Sequence, residues 1–182
     1  MGVSQPGTLT VVIDAGHGGD DTGGIGVDNV TEKAIVLQIA HLIALESVNS
    51  PKIKILLTRS ADQYLAPGER LARARGAQAF LSLHLNFSYD PRMRGITAVV
   101  PDKADPHTHA LADALRARLI SATKSPDLGT QTAPLWLRRL PIPAVQLNVG
   151  FITNPQEARQ LAQLAYQKRI AQAIVAALEE FF

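Results

Sequence analysis

The chain has 182 residues and no cysteine, with 46% hydrophobic and 19% charged residues and a formal net charge of +2. This is ordinary globular usage for one domain with a single core, and it excludes disordered, collagen-like and coiled-coil chains. Without cysteine there is no disulfide scaffold, thiol nucleophile, iron–sulfur cluster or cysteine-held zinc, and the small charge excess gives no argument for nucleic acid.

Leu9–Asp14 is a β-branched apolar run that reads as a buried strand, after a short tail over residues 1–8. The tail lacks the charged-then-apolar pattern of a secretory signal, and no apolar run in the chain is long enough for a membrane helix. The strand ends in the Gly-rich loop Ala15–Gly26. Glu32 to Ser47 has the apolar spacing of an amphipathic helix, and Ile53–Thr58 reads as a second strand. Pro67 predicts a helix start within Ala66–Ala77, and Phe80–Asn86 and Gly95–Val100 read as strands. Pro106–Ser121 reads as helix, and Leu135–Leu140 and Ala144–Val149 as strands separated by Pro141 and Pro143. Asn154-Pro155-Gln156-Glu157 is a helix start with Asn at the N-cap, Pro at N1 and Glu at N3. Helical pattern then runs to the C-terminus with a break expected near Ala165. Strands alternating with helices predict one α/β domain over residues 9–182, with a mostly parallel or mixed sheet of about six strands and helices on both faces.

Three features fall just beyond strand ends or at helix starts, where open α/β sheets bind ligands. Asp14-Ala15-Gly16-His17-Gly18-Gly19 places a histidine between glycines. Its spacing is neither that of a P-loop nor that of a dinucleotide fingerprint, and an exposed turn is the plain alternative. Glu32 begins a helix, where the helix dipole favours an acid without any further role. Ser82, His84 and Asn86 alternate onto one face of a strand whose other face carries Leu83 and Leu85, and a polar triplet there needs partners or a site. Together these supply two histidines and one glutamate, a set that zinc enzymes use with a fourth position left for water. His41, His107 and His109 read as packed or solvated.

The order and spacing of several motifs resemble the zinc-dependent N-acetylmuramoyl-L-alanine amidases of the amidase-3 type. They are Val12-Ile13-Asp14-Ala15-Gly16-His17-Gly18-Gly19, Glu32-Lys33, Leu57-Thr58-Arg59 with Asp62, Arg70, Phe80–Asn86, Gly95, Leu137-Arg138, Pro143-Ala144-Val145 and Gly150–Pro155. The resemblance implies a zinc-exopeptidase-like α/β fold, zinc held by His17, Glu32 and His84, and cleavage of the amide joining N-acetylmuramic acid to L-alanine of the stem peptide. It implies peptidoglycan or muropeptides as partners, and neither nucleic acid nor membrane insertion. It places the protein in the periplasm or cell wall with an export signal outside this sequence, or in the cytoplasm if the chain is complete. Oligomeric state is not readable.

The family carries a catalytic glutamate two residues before Gly-Phe. Aligned on Pro143 and Gly150-Phe151, this chain has Asn148 there, with Gln146 on the same strand face. An amide cannot take a proton from water, so the expectation is a weakened amidase. The alternatives are a non-catalytic relative that binds cell-wall peptide or a partner, and a zinc peptidase acting on free peptides. Asn86, Arg59 and Arg138 are the candidate substrate-binding residues, and for the arginines a structural ion pair is the competing role. Gly95 follows Asn86 within nine residues, too few for the inserted helix that blocks the zinc in some family members, so an open cleft is expected.

Overall fold

The computed structural model describes residues 7–182, so most of the expected tail, residues 1–6, lies outside the described residues. Six strands form one sheet: β1 (Leu9–Ala15), β2 (Ile53–Leu57), β3 (Ala79–Asn86), β4 (Ile96–Pro101), β5 (Asp127–Ala133) and β6 (Ala144–Phe151). Their order is β2-β1-β3-β6-β4-β5, and only the β4–β6 pairing is antiparallel. The helices are α1 (Glu32–Glu46), α2 (Pro67–Ala72), α3 (Pro106–Thr123), α4 (Pro155–Leu161) and α5 (Leu164–Phe181). None is long and apolar enough to cross a membrane.

The two faces of the sheet are unlike. Alternation sends Val11, Ile13, Leu81, Leu83, Val145 and Leu147 into one large core, which α1, α3 and α5 cover with residues such as Ile39, Leu115 and Ile174. Val12, Phe80 and Ala144 point the other way, into a small core with Ala74, Ala77 and Leu137. Trp136 packs edge-on against Phe80 there, ring centroids 5.8 Å apart. Further along the same face the strands change from apolar to polar: Asp14 follows Val12, Ser82 and His84 follow Phe80, and Gln146 and Asn148 follow Ala144. The face that is only half covered by apolar groups is therefore the face that carries the polar cluster.

Two expectations are corrected. Leu135–Leu140 is not a strand: Trp136–Arg139 is a single 3-10 turn. Pro134, Pro141 and Pro143 flank it and supply no N–H for a ladder, and the turn drops Leu137 onto the small core instead. Asp127–Ala133, which has no apolar alternation, is a strand at the sheet edge, paired in parallel with β4. Elsewhere the boundaries move by a few residues. Asn154 caps α4 as expected, accepting from the N–H groups of Gln156 and Glu157 at 3.0 Å each. The break between the last two helices falls at Ala162–Gln163.

Candidate metal centre

β1 delivers the chain into the glycine loop at Gly16, whose N–H donates to the Leu83 carbonyl at 3.0 Å. A Cβ at Gly16 would stand 2.3 Å from the His84 ring, so only glycine lets the loop lie this close to β3. His17 then takes a left-handed backbone, φ 60°. Such a conformation costs a non-glycine residue on the order of 1 kcal/mol or more and persists where the surroundings fix it. Lys33 fixes it on one side, donating to the Gly19 carbonyl at 2.7 Å and to Asp62 Oδ2 at 2.6 Å, while Asp62 Oδ1 accepts the Gly19 N–H at 2.8 Å.

Below the loop lie two arginines. Arg59 is 1% exposed and its guanidinium donates to the carbonyls of Ala15, Gly16, Lys33 and Ala61. Its burial and the nearby Arg70 charge push its pKa down. Arg70 donates to the carbonyls of Leu65, Ala15 and His17 and pairs with Asp14 Oδ1 at 2.7 Å. Asp14 is fully buried and also accepts from Thr58 at 2.6 Å and Ser82 at 2.7 Å. These charges hold the loop. Arg59 in particular has its donors committed to backbone carbonyls, so the geometry gives it a positioning role and not the substrate contact expected for it.

Above this base three side chains converge. Glu32, at the first turn of α1, is 5% exposed. Its Oε1 lies 3.1 Å from His17 Nε2 and 3.1 Å from His84 Nδ1, and accepts the Leu85 N–H at 2.8 Å; Oε2 accepts the Gly24 N–H at 2.9 Å. Burial alone would raise the Glu32 pKa, but the hydrogen bonds with His17 and His84 win and hold it well below the carboxylate range. The contact with Glu32 raises the His17 pKa against the effect of burial, with Asp21 adding to it. One ligand atom from each of His17, Glu32 and His84 lies within 4.8 Å of the others, the one such cluster among the described residues. Two imidazoles and a carboxylate at this spacing suit a zinc ion with one position open. The site is not sealed: the His17 and His84 side chains keep 22% and 20% of their surface exposed, and a cleft of about 150 Å³ reaches them past Tyr64 and Trp136.

Asp21 supports this cluster from behind His17, a role that residue type and local pattern alone do not assign. Its Oδ2 lies 2.9 Å from His17 Nδ1 and its Oδ1 accepts the Gly23 N–H at 3.1 Å. A carboxylate on the far nitrogen of a ligand histidine fixes the ring and its tautomer. The signal was available, an acid four residues after the loop histidine, but its use depends on a turn that only glycines allow.

Asn148 is the register partner of His84 on β6, so the two side chains leave the same face of the sheet. It is 8% exposed, and its Oδ1 accepts a hydrogen bond from Gln146 Nε2 at 3.0 Å. Asn86 donates to Thr97 Oγ1 at 3.2 Å, and Thr97 is the partner of Asn148 on β4, so Asn86 stands in the same polar row. Arg138 does not join them. It lies 3.6 Å from Asp102 in a separate cleft of about 250 Å³ at the start of β6, beside Ala144. Ala144 precedes Asn148 by four residues, about 13 Å of strand. Of the remaining acids, Glu157 is buried and accepts the N–H groups of Phe151 and Gly95 at 2.7 and 3.1 Å, tying the end of β6 to the loop before β4. His41 lies 3.1 Å from the Ser60 carbonyl, and the His107 ring stacks against Phe181 at 4.8 Å.

Fold and site together define an α/β protein with a His–Glu–His centre at the carboxyl end of the sheet's middle strands. A sequence profile of the N-acetylmuramoyl-L-alanine amidase family matches residues 11–180. The sporulation-specific N-acetylmuramoyl-L-alanine amidase of Bacillus subtilis is 31% identical over 178 residues, which cover 96% of this chain and 68% of that protein. The N-acetylmuramoyl-L-alanine amidase LytC of the same organism is 31% identical over 91% of this chain, which spans only 34% of LytC. Among solved structures, an N-acetylmuramoyl-L-alanine amidase from Clostridium difficile 630 superposes with a TM-score of 0.92 at 29% identity, covering 96% of this chain and 97% of that one. The catalytic domain of CwlV from Bacillus (Paenibacillus) polymyxa gives 0.89 at 30% identity, covering 96% and 98%. The chain belongs to the N-acetylmuramoyl-L-alanine amidase family.

Proposed function

We propose that the protein is a zinc-dependent peptidoglycan amidase that hydrolyses the amide between N-acetylmuramic acid and L-alanine of the stem peptide, working slowly because Asn148 occupies the general-base position. The observation that carries this reading is the convergence of His17, Glu32 and His84 at the mouth of an open cleft, in a chain of this family. Zinc held by these three residues would supply Lewis-acid polarisation of the scissile carbonyl and a water of lowered pKa. The protein's own part is to orient. Asp21 holds the His17 ring, the Gly24 and Leu85 N–H groups hold the Glu32 carboxylate, and Asn148 and Asn86 offer amides beside His84.

The proton is the weak point. With its oxygen engaged by Gln146, Asn148 has an NH₂ to offer, which can donate to a substrate oxygen but cannot accept or relay the proton of an attacking water. Asp14 and Glu157 do not replace a base, because their oxygens are spent on Arg70, Thr58 and Ser82 and on backbone N–H groups. The same observation supports a second reading, a cleft that binds muropeptide without turning it over. The proposed setting is the cell wall, where the peptidoglycan substrate of this reading lies. The deciding experiment measures dye release from labelled peptidoglycan and zinc content together. Slow, zinc-dependent release supports the amidase, bound zinc with no release above background supports the binder, and release that survives full zinc removal would overturn both.

A further inference from the structure

Three residues beyond His84, the β3–β4 loop puts two aromatic rings into water. Phe87 is 58% exposed and Tyr89 96% exposed, and their rings meet edge to face with centroids 5.2 Å apart. The loop beneath them is tied down. The Ser88 N–H donates to Thr153 Oγ1 at 3.1 Å, the Asp90 N–H to Ser88 Oγ at 3.1 Å, and Asn154 Nδ2 to the Pro91 carbonyl at 2.9 Å. Asp90 and Arg92 close it with an ion pair at 2.9 Å. The rings are thus presented on an anchored turn, although burying each would gain about 1.5–3 kcal/mol. Two paired rings held on an anchored turn offer a small apolar contact surface. Two rings fall far short of the roughly 800 Å² that each partner of a stable protein complex buries, but they match one or two sugar rings, whose C–H faces pack on aromatics while their hydroxyls stay wet.

We propose that Phe87 and Tyr89 form a stacking subsite for the glycan strand of peptidoglycan. This rests on the amidase reading. The scissile amide is one lactyl group away from a sugar, so the glycan must pass close to the metal centre, and the Phe87 backbone lies within about 10 Å of that of His84 by chain length alone.

The test uses peptide-free glycan strands and isothermal titration on the zinc-loaded protein, so that it does not depend on turnover. The wild type is expected to bind, the double variant Phe87→Ala/Tyr89→Ala to bind at least tenfold more weakly, and Phe87→Tyr/Tyr89→Phe to retain binding, all with unchanged zinc content and thermal midpoint. Equal affinity in the double alanine variant, no binding by the wild type, or a loss confined to free stem peptide would each overturn the subsite. Failure of the amidase reading shows differently, as absence of cleavage by both the wild type and Asn148→Glu whatever the glycan affinities.

Discussion

Asn148 and His84 stand at the same register level on adjacent parallel strands, and Gln146 Nε2 donates to the Asn148 oxygen at 3.0 Å. The pair places an amide beside a candidate metal ligand, at the position that the proposed amidase reading gives to the general base. Asn148→Glu is expected to raise turnover of peptidoglycan by roughly 10²-fold or more with little change in KM. The new carboxylate can still accept from Gln146 Nε2, so the strand keeps its hydrogen bond and the variant should fold. Dye-release rates at saturating substrate provide the check, and equal rates would remove Asn148 from the proton's path.

Of the three candidate ligands Asp21 hydrogen-bonds only His17, and its other oxygen holds the Gly23 N–H of the loop. Asp21→Ala should therefore leave zinc stoichiometry at about one per chain under saturation but weaken the affinity about 10–100-fold. His17→Ala and His84→Ala, which remove ligands outright, should abolish binding. Competition titration of the metal-free proteins with zinc and a chelator measures all three, and an Asp21→Ala affinity matching wild type would mean that the glycine loop alone orients the ring.

The parts of this site that could be read from sequence are those whose residue type and local pattern coincide. His84 and Asn86 follow from strand alternation and the Asn154 cap from its own signature, whereas a helix start explains Glu32 without a site and only its company with the two histidines and the family motifs singled it out. The parts that could not be read depend on long-range pairing. Arg59 is chemically indistinguishable from a substrate-binding arginine until the carbonyls of Ala15, Gly16 and Lys33 are brought around it from two other segments. β5 is a strand only because β4 offers it an edge. Leu135–Leu140 has strand composition, and the flanking prolines together with the pocket over Phe80 turn it into a 3-10 turn.

Asp14 and Arg70 form the buried ion pair under the glycine loop, 2.7 Å apart with both side chains almost wholly enclosed. Asp14→Ala leaves the Arg70 guanidinium charged and unpaired in the interior and should cost about 3–5 kcal/mol. Ser82→Ala, which removes one neutral donor to the same carboxylate, should cost nearer 1 kcal/mol. Urea unfolding of the metal-free proteins separates the two, and a cost for Asp14→Ala no larger than that for Ser82→Ala would show that the pair is not what holds the loop base.

Glu157 supplies the pH-dependent prediction. Burial raises its pKa above the ordinary 4.5, against the N–H groups of Phe151 and Gly95, which favour the ionised form. A carboxyl whose folded pKa exceeds its unfolded value contributes most to stability below the unfolded pKa, and that contribution is lost as pH rises through the folded value. Glu157→Gln keeps an oxygen for Phe151 and cannot ionise. Relative to the variant, the wild type should therefore be favoured more at about pH 4 than at about pH 7, because only the wild type must bury a charge at the higher pH. Urea titrations of both proteins at the two pH values give the difference directly. A wild-type advantage that grows with pH would mean that the two N–H donors outweigh burial and hold the carboxylate ionised in the fold.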